Sequence, residues 1–524
     1  MSTTRPVLSP WRAASEGTWS RAVHRRRGRI ALPSLSAGLL IALSLPPWGW
    51  WPLAFLGAAL LFLRLRGLPL RTRILAGWLA GLGCFVPGLW WAAAFNWYGA
   101  VVLMVVEALS MAGAAALVPP DRGRVTAFVG SFTLLEALRM AWPLGGLPLG
   151  GAFLGQAGGP LLGVARLGGP LLLTAVVWLG GAGLGQLVLL AYRWYRGDWA
   201  SSGDFAAALV PLVILVVLGI GAALAPDGGP STQRVSVAAV QGGGRRGTSA
   251  SEVRPSTVFD AQEAASSTLE VDPPAGGSPR LVVWPEDVVA LSTPLHGSRQ
   301  AAALSTLARR LRATVVAGVT VDVSDARFLN EAVAWGPNGQ VVGSYEKVHR
   351  VPFGEYVPWR GFFSGLANLS AVPRDAVAGH GTGMVETPAG RLGLMLSYEV
   401  FFADRGSSAV DAGAQLLVVP TNTSSYGTSQ VPSQEVAADR VQAVENGRDL
   451  VQAAPTGFST LVTPSGDVLE RSQLGARGVL VGALGLRDGR TVYGTLGDLP
   501  LLVLAALALV AGWFRSLRPR RPRW

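Results

Sequence analysis

Three stretches hold the residues whose types and spacing could do chemistry. In LVVWPED (281–287) an apolar strand runs into Trp284-Pro285 and presents Glu286 where a parallel sheet opens at its C-terminal edge. Ligands of open α/β sheets bind outside the carboxyl ends of the strands, so a carboxylate there suits an active site, with an exposed loop acid as the alternative. SYEKVHRVPFGEYVPWR (344–360) contains Lys347, the only lysine among the chain's 44 Lys and Arg residues. Arginine carries positive charge everywhere else, so a lone lysine marks a place that needs a compact, orientable ammonium, unless it is a chance surface residue. Glu355 follows in a rigid Pro-Phe-Gly-Glu-Tyr-Val-Pro loop. In GRLGLMLSYEVFFADR (390–405) an apolar strand delivers Ser397, Tyr398 and Glu399 to a turn before a short helix. A nucleophile belongs on such a turn, where its side chain projects and backbone N–H groups can hold an oxyanion; an ordinary buried serine fits the same stretch.

The elements that must position these residues are set by composition. Half of the residues are apolar and only 15% are charged, against roughly 25% charged in soluble proteins. That excludes a disordered chain or an ordinary cytosolic enzyme and points to a membrane protein with room for a further domain. One cysteine, Cys84, and four scattered histidines rule out a disulfide framework and give no ligand pair at metal spacing. No metal or other cofactor is expected. Eight apolar spans are expected at about 31–46, 48–63, 74–95, 99–118, 125–142, 170–191, 205–225 and 497–514, the first two forming a hairpin around Pro46-Pro47.

Charge placement orients them. Seven arginines precede the first span, five follow the last, and more fall on alternate connections, including Arg71, Arg122 and Arg193. The opposite connections, around Pro46-Pro47, Asn96 and 145–151, carry none. By the positive-inside rule both termini are cytoplasmic and residues 226–496 lie outside. The net charge of +12 therefore reports membrane orientation, and nucleic-acid binding is not expected. The N-terminus lacks the cleavage site of a signal peptide. The expected layout is a basic segment 1–30, seven spans in 31–225, an outer domain 226–496, a closing span 497–514 and a basic tail 515–524.

The outer segment reads as one α/β domain. Short Val-rich runs at 235–241, 281–284, 313–319, 331–335, 391–397 and 415–419 suit buried strands. Residues 299–312 and 433–447 have helical spacing, and Gly242–Gly247 and 271–279 look like loops.

In this order WPE, EK-x-x-x-VPFGEYVP and G-L-x-x-SYE resemble the carbon–nitrogen hydrolase (nitrilase) superfamily. Set among eight spans, the chain resembles the apolipoprotein N-acyltransferase family over nearly its whole length, and 421–457 is similar to that family's later substrate-side loop and helix. The resemblance implies an α-β-β-α sandwich, with Glu286 as general base, Lys347 as oxyanion-stabilising lysine, Ser397 as nucleophile, Glu355 and Glu399 as accessory glutamates, and Tyr398 following the nucleophile. It implies an acyl donor, a membrane phospholipid, and an acyl acceptor, the N-terminal amine of a diacylglyceryl prolipoprotein, in a bacterial cell membrane. One departure stands out: the family's nucleophile is cysteine, and this position is Ser397. A serine hydroxyl is far less acidic than a thiol and normally recruits a stronger base such as histidine, for which His349 is the nearest candidate by sequence. Cys84 falls inside the third span and reads as a buried apolar residue. Four readings follow: a working acyltransferase, a catalytically silent scaffold for a membrane glycosyltransferase such as a polyprenol-phosphate mannose synthase, a replacement made to stop turnover, and a membrane-tethered amidase.

Other features have structural roles. Trp48, Trp50, Trp51, Trp90, Trp91 and Trp97 suit an interfacial belt. Glu136 and Arg139 are expected to pair on the fifth span, joined by Glu107. Phe353, Trp359, Phe362 and Phe363 suit either lipid access or a core.

Overall fold

The computed structural model describes residues 30–244, 252–270, 280–364 and 372–518. The basic ends, residues 245–251 and 365–371, and the segment 271–279 expected to be a loop lie outside these residues.

The Val-rich runs become strands because they are buried on both faces and end in turns. One sheet orders β14 (Gly478–Leu486), β1 (Gln233–Gln241), β2 (Leu281–Val283), β4 (Thr314–Ser324), β5 (Arg327–Trp335) and β6 (Val341–Glu346). Two short strands join it, β3 (Val289–Leu291) on β4 and β7 (Asp375–Ala376) on β5. The other sheet orders β13 (Val468–Arg471), β12 (Thr460–Val462), β11 (Leu450–Ala453), β10 (Leu416–Pro420), β9 (Gly390–Leu394) and β8 (Met384–Thr387).

Side-chain alternation makes the layers. Along β1, Val235, Val237 and Ala239 pack against Leu392, Leu394, Leu416 and Val418 of the other sheet. The intervening Ala238 and Val240 pack outward on Phe259 of helix α8 (Pro255–Ser266) and on Leu304 and Leu307 of α9 (Arg299–Leu311). Beyond the second sheet, Leu417, Val419 and Leu450 meet Ala437, Val441 and Val444 of α12 (Val431–Asn446). The result is the expected helix–sheet–sheet–helix sandwich, completed by α10 (Arg360–Phe363), α11 (Ala403–Asp411) and α13 (Val492–Leu496). Both predicted helices and all six predicted strands are present. Strands β3, β6, β7, β8 and β11 to β14 escaped the sequence reading; β6 is partly exposed and turns polar at its end, and glycines interrupt β14.

The rest is an apolar helical bundle of α1 (Ile30–Ala42), α2 (Pro52–Arg64), α3 (Leu70–Gly88), α4 (Trp97–Leu117), α5 (Arg124–Ala141), α6 (Ala165–Tyr195), α7 (Ser202–Leu224) and the C-terminal α14 (Leu499–Leu517). Each sits at one of the eight expected spans. Among the described residues, however, only α4, α6 with its lead-in from Leu162, α7 and α14 are long and apolar enough to cross a membrane on their own. The hairpin expected around Pro46-Pro47 is present, but its turn takes up residues 43–51, so α1 and α2 are shorter arms than the expected 31–46 and 48–63. Helix α3 opens with Arg71 and Arg73 and stops at Gly88, one residue after Pro87, whereas the expected span ran to 95. Helix α5 carries Arg124, Glu136 and Arg139. Helix α6 is broken at Gly168 and Gly169 just before Pro170. The bundle and the sandwich share a core, since Phe153, Leu154 and Val164 cluster with the buried face of α12.

Candidate active site

Glu286, Lys347 and Glu355, 61 and 8 residues apart in sequence, meet at the carboxyl ends of the first sheet's strands. Beyond β2 the ladder runs on for a step, Trp284 N–H donating to Val316 O at 2.7 Å and Gly318 N–H to Pro285 O at 3.0 Å. This brings the Glu286 backbone hard against β4. A Cβ at Gly318 would sit 2.3 Å from Glu286 Cα, so only glycine fits there.

Lys347 follows the last residue of β6 and is 1% exposed. Its Nζ donates to Glu286 Oε1 at 2.8 Å and to Glu355 Oε1 at 2.7 Å. Asn330, buried on β5, donates its Nδ2 to the same two oxygens at 2.9 and 3.0 Å. Two donors and two acceptors thus close a square that one compact ammonium completes and a planar guanidinium would not. Asn330 also fixes the lysine's position by accepting from Lys347 N–H at 2.9 Å. Its one sequence signal was a polar residue inside the apolar strand RFLNEAVAW; nothing marked Gly318.

Burial drives the Glu286 carboxyl up to about 8, against the pull of Lys347 and with repulsion from Asp287 and Glu355 adding to the rise. Burial alone would lower the Lys347 ammonium, but the two carboxylates hold it well above the ordinary lysine range. Glu355 is seated by its own loop: its Oε2 accepts from Val351 N–H at 2.8 Å. Phe353 in that loop has φ +60.

Ser397 follows β9 with φ +49, in the left-handed region that residues other than glycine rarely adopt, and begins a 3-10 turn, Ser397–Phe401. Strained backbone of this kind persists where the surroundings over-determine it, and it is common at reactive residues. Glu399 supplies much of the constraint. Fully buried, its Oε2 accepts from Leu396 N–H at 2.9 Å, and its Oε1 accepts from Val348 N–H at 2.7 Å, His349 N–H at 2.9 Å and Tyr345 O–H at 2.9 Å. Burial raises this carboxyl, opposed by its backbone donors and Lys347. Glu399 therefore ties the serine turn to the residues directly after Lys347, and Ser397 joins the group through that tie. Tyr398 points away, its hydroxyl donating to Gly146 O at 2.9 Å in the helical bundle.

His349 is placed for something else. Its Nε2 lies 3.2 Å from Asp404 Oδ2 and its ring stacks on Phe402 at 4.1 Å. Past β6 the chain is no longer a strand, so the face-sharing with Lys347 expected of a continuing strand does not arise.

The sequence reading missed Tyr426, whose ring packs on Trp91 at 5.3 Å and Phe95 at 5.2 Å from the bundle. Phe353, Trp359 and Phe362 are 49, 69 and 66% exposed, so these three do not belong to a core. Cys84 is buried, as expected.

A double-sheet sandwich holding a Glu–Lys–Glu group beside a strained turn defines a carbon–nitrogen hydrolase, and residues 237–492 match the family described as "Carbon-nitrogen hydrolase". Residues 37–183 match "Apolipoprotein N-acyltransferase N-terminal domain". A protein of Azotobacter vinelandii named apolipoprotein N-acyltransferase is 30% identical over 94% of this chain and 96% of its own length. Proteins of the same name from Mycolicibacterium smegmatis and Geobacter metallireducens are each 30% identical, over 91 and 92% of this chain and 84 and 94% of theirs. The chain belongs to the apolipoprotein N-acyltransferase family, membrane enzymes of the carbon–nitrogen hydrolase superfamily.

Proposed function

We propose that the chain N-acylates lipoproteins through an acyl-enzyme on Ser397, taking the acyl chain from a membrane phospholipid and passing it to the N-terminal amine of a diacylglyceryl-cysteine. The observation that carries this reading is Lys347 Nζ held between Glu286 and Glu355. Glu286, lifted by burial to about 8, is matched to proton transfer near neutral pH. It removes the Ser397 proton as Oγ attacks the phospholipid ester carbonyl. The Lys347 ammonium stabilises the tetrahedral oxyanion. Collapse breaks the ester C–O bond, and the lysophospholipid leaves with the proton from Glu286. The acceptor amine then attacks the oxyester, Glu286 takes its proton, and the serine hydroxyl is regenerated as the amide forms. Glu355 and Asn330 keep the lysine and base in register, and Glu399 holds the turn. Exposed Phe353, Trp359 and Phe362 supply an apolar approach for acyl chains.

We read α1 to α7 and α14 as eight spans, α1 and α2 as the short arms of a hairpin, with the arginine-rich ends cytoplasmic and the sandwich outside. Supporting this, the bundle segments that the sandwich touches, at Pro87, Gly88 and Gly146, border connections without Lys or Arg. A site there meets both lipid substrates at the bilayer's outer face.

Serine in place of cysteine is what favours the alternative, a silent scaffold. Intact-mass spectrometry of the purified chain after incubation with phospholipid separates the two. Acyl transfer predicts an acyl-sized gain that Ser397→Ala abolishes. An unmodified chain whose Ser397→Cys variant does acylate would establish an intact site that the native serine does not turn over.

A further inference from the structure

The ion network around Arg139 lies outside the site described above, and the chemistry assigned to that site does not use it. On α5, Arg139 is 4% exposed and faces Glu136 at 2.9 and 2.7 Å and Glu107 of α4 at 3.2 Å. Charge neutralisation needs no more than this. The guanidinium nevertheless also donates to three consecutive carbonyls of the connection after α5: Leu147, Pro148 at 3.3 Å and Leu149 at 3.1 Å. Its planar fork of five N–H groups suits such a clamp, which a single ammonium could not reproduce.

The clamped connection is also where the catalytic segments rest. Gly146 O accepts from the Tyr398 hydroxyl at 2.9 Å, and Leu144 O from the Tyr356 hydroxyl at 3.4 Å. Gly150 N–H donates to Gln434 Oε1 at 3.0 Å. Tyr398 follows Ser397, Tyr356 follows Glu355, and Gln434 belongs to the buried helix α12. The connection itself has little freedom: Gly146 has φ +88, and a Cβ there would lie 2.0 Å from Met140 O.

We propose that Arg139 is a positioning residue for the reaction, fixing the 144–150 connection from inside the bundle so that it holds Tyr398 and Tyr356, and through them the Ser397 turn and the Glu355 loop. The strained backbone of Ser397 is then restrained from two sides, by Glu399 within the sandwich and by Gly146 from the bundle. This rests on reading Ser397 as the reacting group.

A readout independent of acyl transfer tests it. In the full chain carrying Ser397→Cys, the introduced thiol is alkylated with iodoacetamide across a pH series, and Cys84, 1% exposed, stays silent. Adding Arg139→Lys is expected to slow alkylation at least about fivefold, the scale of one lost buried hydrogen bond, and to shift its pH midpoint at a temperature well below the variant's own melting transition. Tyr398→Phe, which deletes one oxygen, should do the same. The two together should be no slower than the slower single, because both act through one contact. If Arg139→Lys does not fold, the combination Glu107→Gln, Glu136→Gln, Arg139→Met leaves no buried charge unpaired and carries the same expectation. An unchanged rate and midpoint in a folded Arg139 variant or in Tyr398→Phe overturns the proposal, as do single effects that multiply. If phospholipid leaves no acyl group on the native chain yet Arg139→Lys slows alkylation, the clamp stands and the acyl-transfer reading falls.

Discussion

Removing the Lys347 ammonium puts the Glu–Lys–Glu square under its most direct test. At 2.8 and 2.7 Å its gross attraction to each carboxylate is about 6 kcal/mol at an effective dielectric of about 20. Desolvating the three groups takes back much of that. The variant Lys347→Met, however, leaves the carboxylates buried without their cation, a change that typically costs about 3–5 kcal/mol. The loss should depend on pH with a definite sign. Burial already raises Glu286 to about 8 in the presence of the lysine, and without that cation its carboxyl rises further. A carboxyl whose folded pKa lies above its unfolded value of about 4.3 loses stability as pH climbs through that interval. The deficit of Lys347→Met in apparent melting temperature should therefore be small near about pH 5, where Glu286 holds its proton in both chains, and grow as pH climbs past about 8, where only the native Glu286 gives it up. Acyl-enzyme formation should fall by about 10²–10³, the usual loss for one oxyanion donor. Lys347→Arg keeps the charge but cannot place one nitrogen on both Oε1 atoms, so it should recover stability more than rate. Tryptophan-fluorescence melts in detergent at several pH values, paired with intact-mass acylation rates, measure both. A deficit that is flat with pH, or largest in acid, would refute the reasoning.

Acylation of the native chain should rise with pH toward about 8, as Glu286 loses its proton, and Glu286→Gln should abolish it; single-turnover rates across pH read this directly. Asn330→Ala removes a donor shared by both carboxylates and should cost about 1–3 kcal/mol in stability, with slower acylation; denaturation midpoints check the first, intact mass the second. Gly318→Ala forces a Cβ to within 2.3 Å of Glu286 Cα, so it should slow acylation more than Ala317→Gly on the same strand; equal effects would argue against a tight fit there. Glu435, buried on α12 and raised by burial to about 8, loses stability as pH rises from about 4.3. Glu435→Gln should therefore stabilise the chain at pH 8 by on the order of 4 kcal/mol and at pH 5 by only about 1 kcal/mol, as pH-dependent melts would show.

Local sequence determined the parts whose physics is local. Runs such as LLVVP and LVV are short, apolar and Val-rich, as strands buried on both faces are, and the long apolar segments that became helices of the bundle needed no tertiary contact to be seen. Lys347 was legible because its type is unique in the chain, and Glu286 and Ser397 because each follows a strand at a turn. Where a turn trimmed an expected span, as around Pro46-Pro47, hydropathy alone overstated the helix.

Tertiary structure decided what depends on pairs distant in sequence. Asn330 reaches Glu286 across 44 positions, and Glu399 reaches Val348 across 51. Gly146 receives Tyr398 from 252 positions away. No periodicity encodes such meetings, because they arise from the order in which strands pair and from the docking of the sandwich on the bundle. The same packing turned His349 toward Asp404 and Phe402, and made Glu399 a brace for the turn. Residue types and turns named the candidate groups, while burial and long-range contacts set the Glu286 and Lys347 proton affinities and held the group in place.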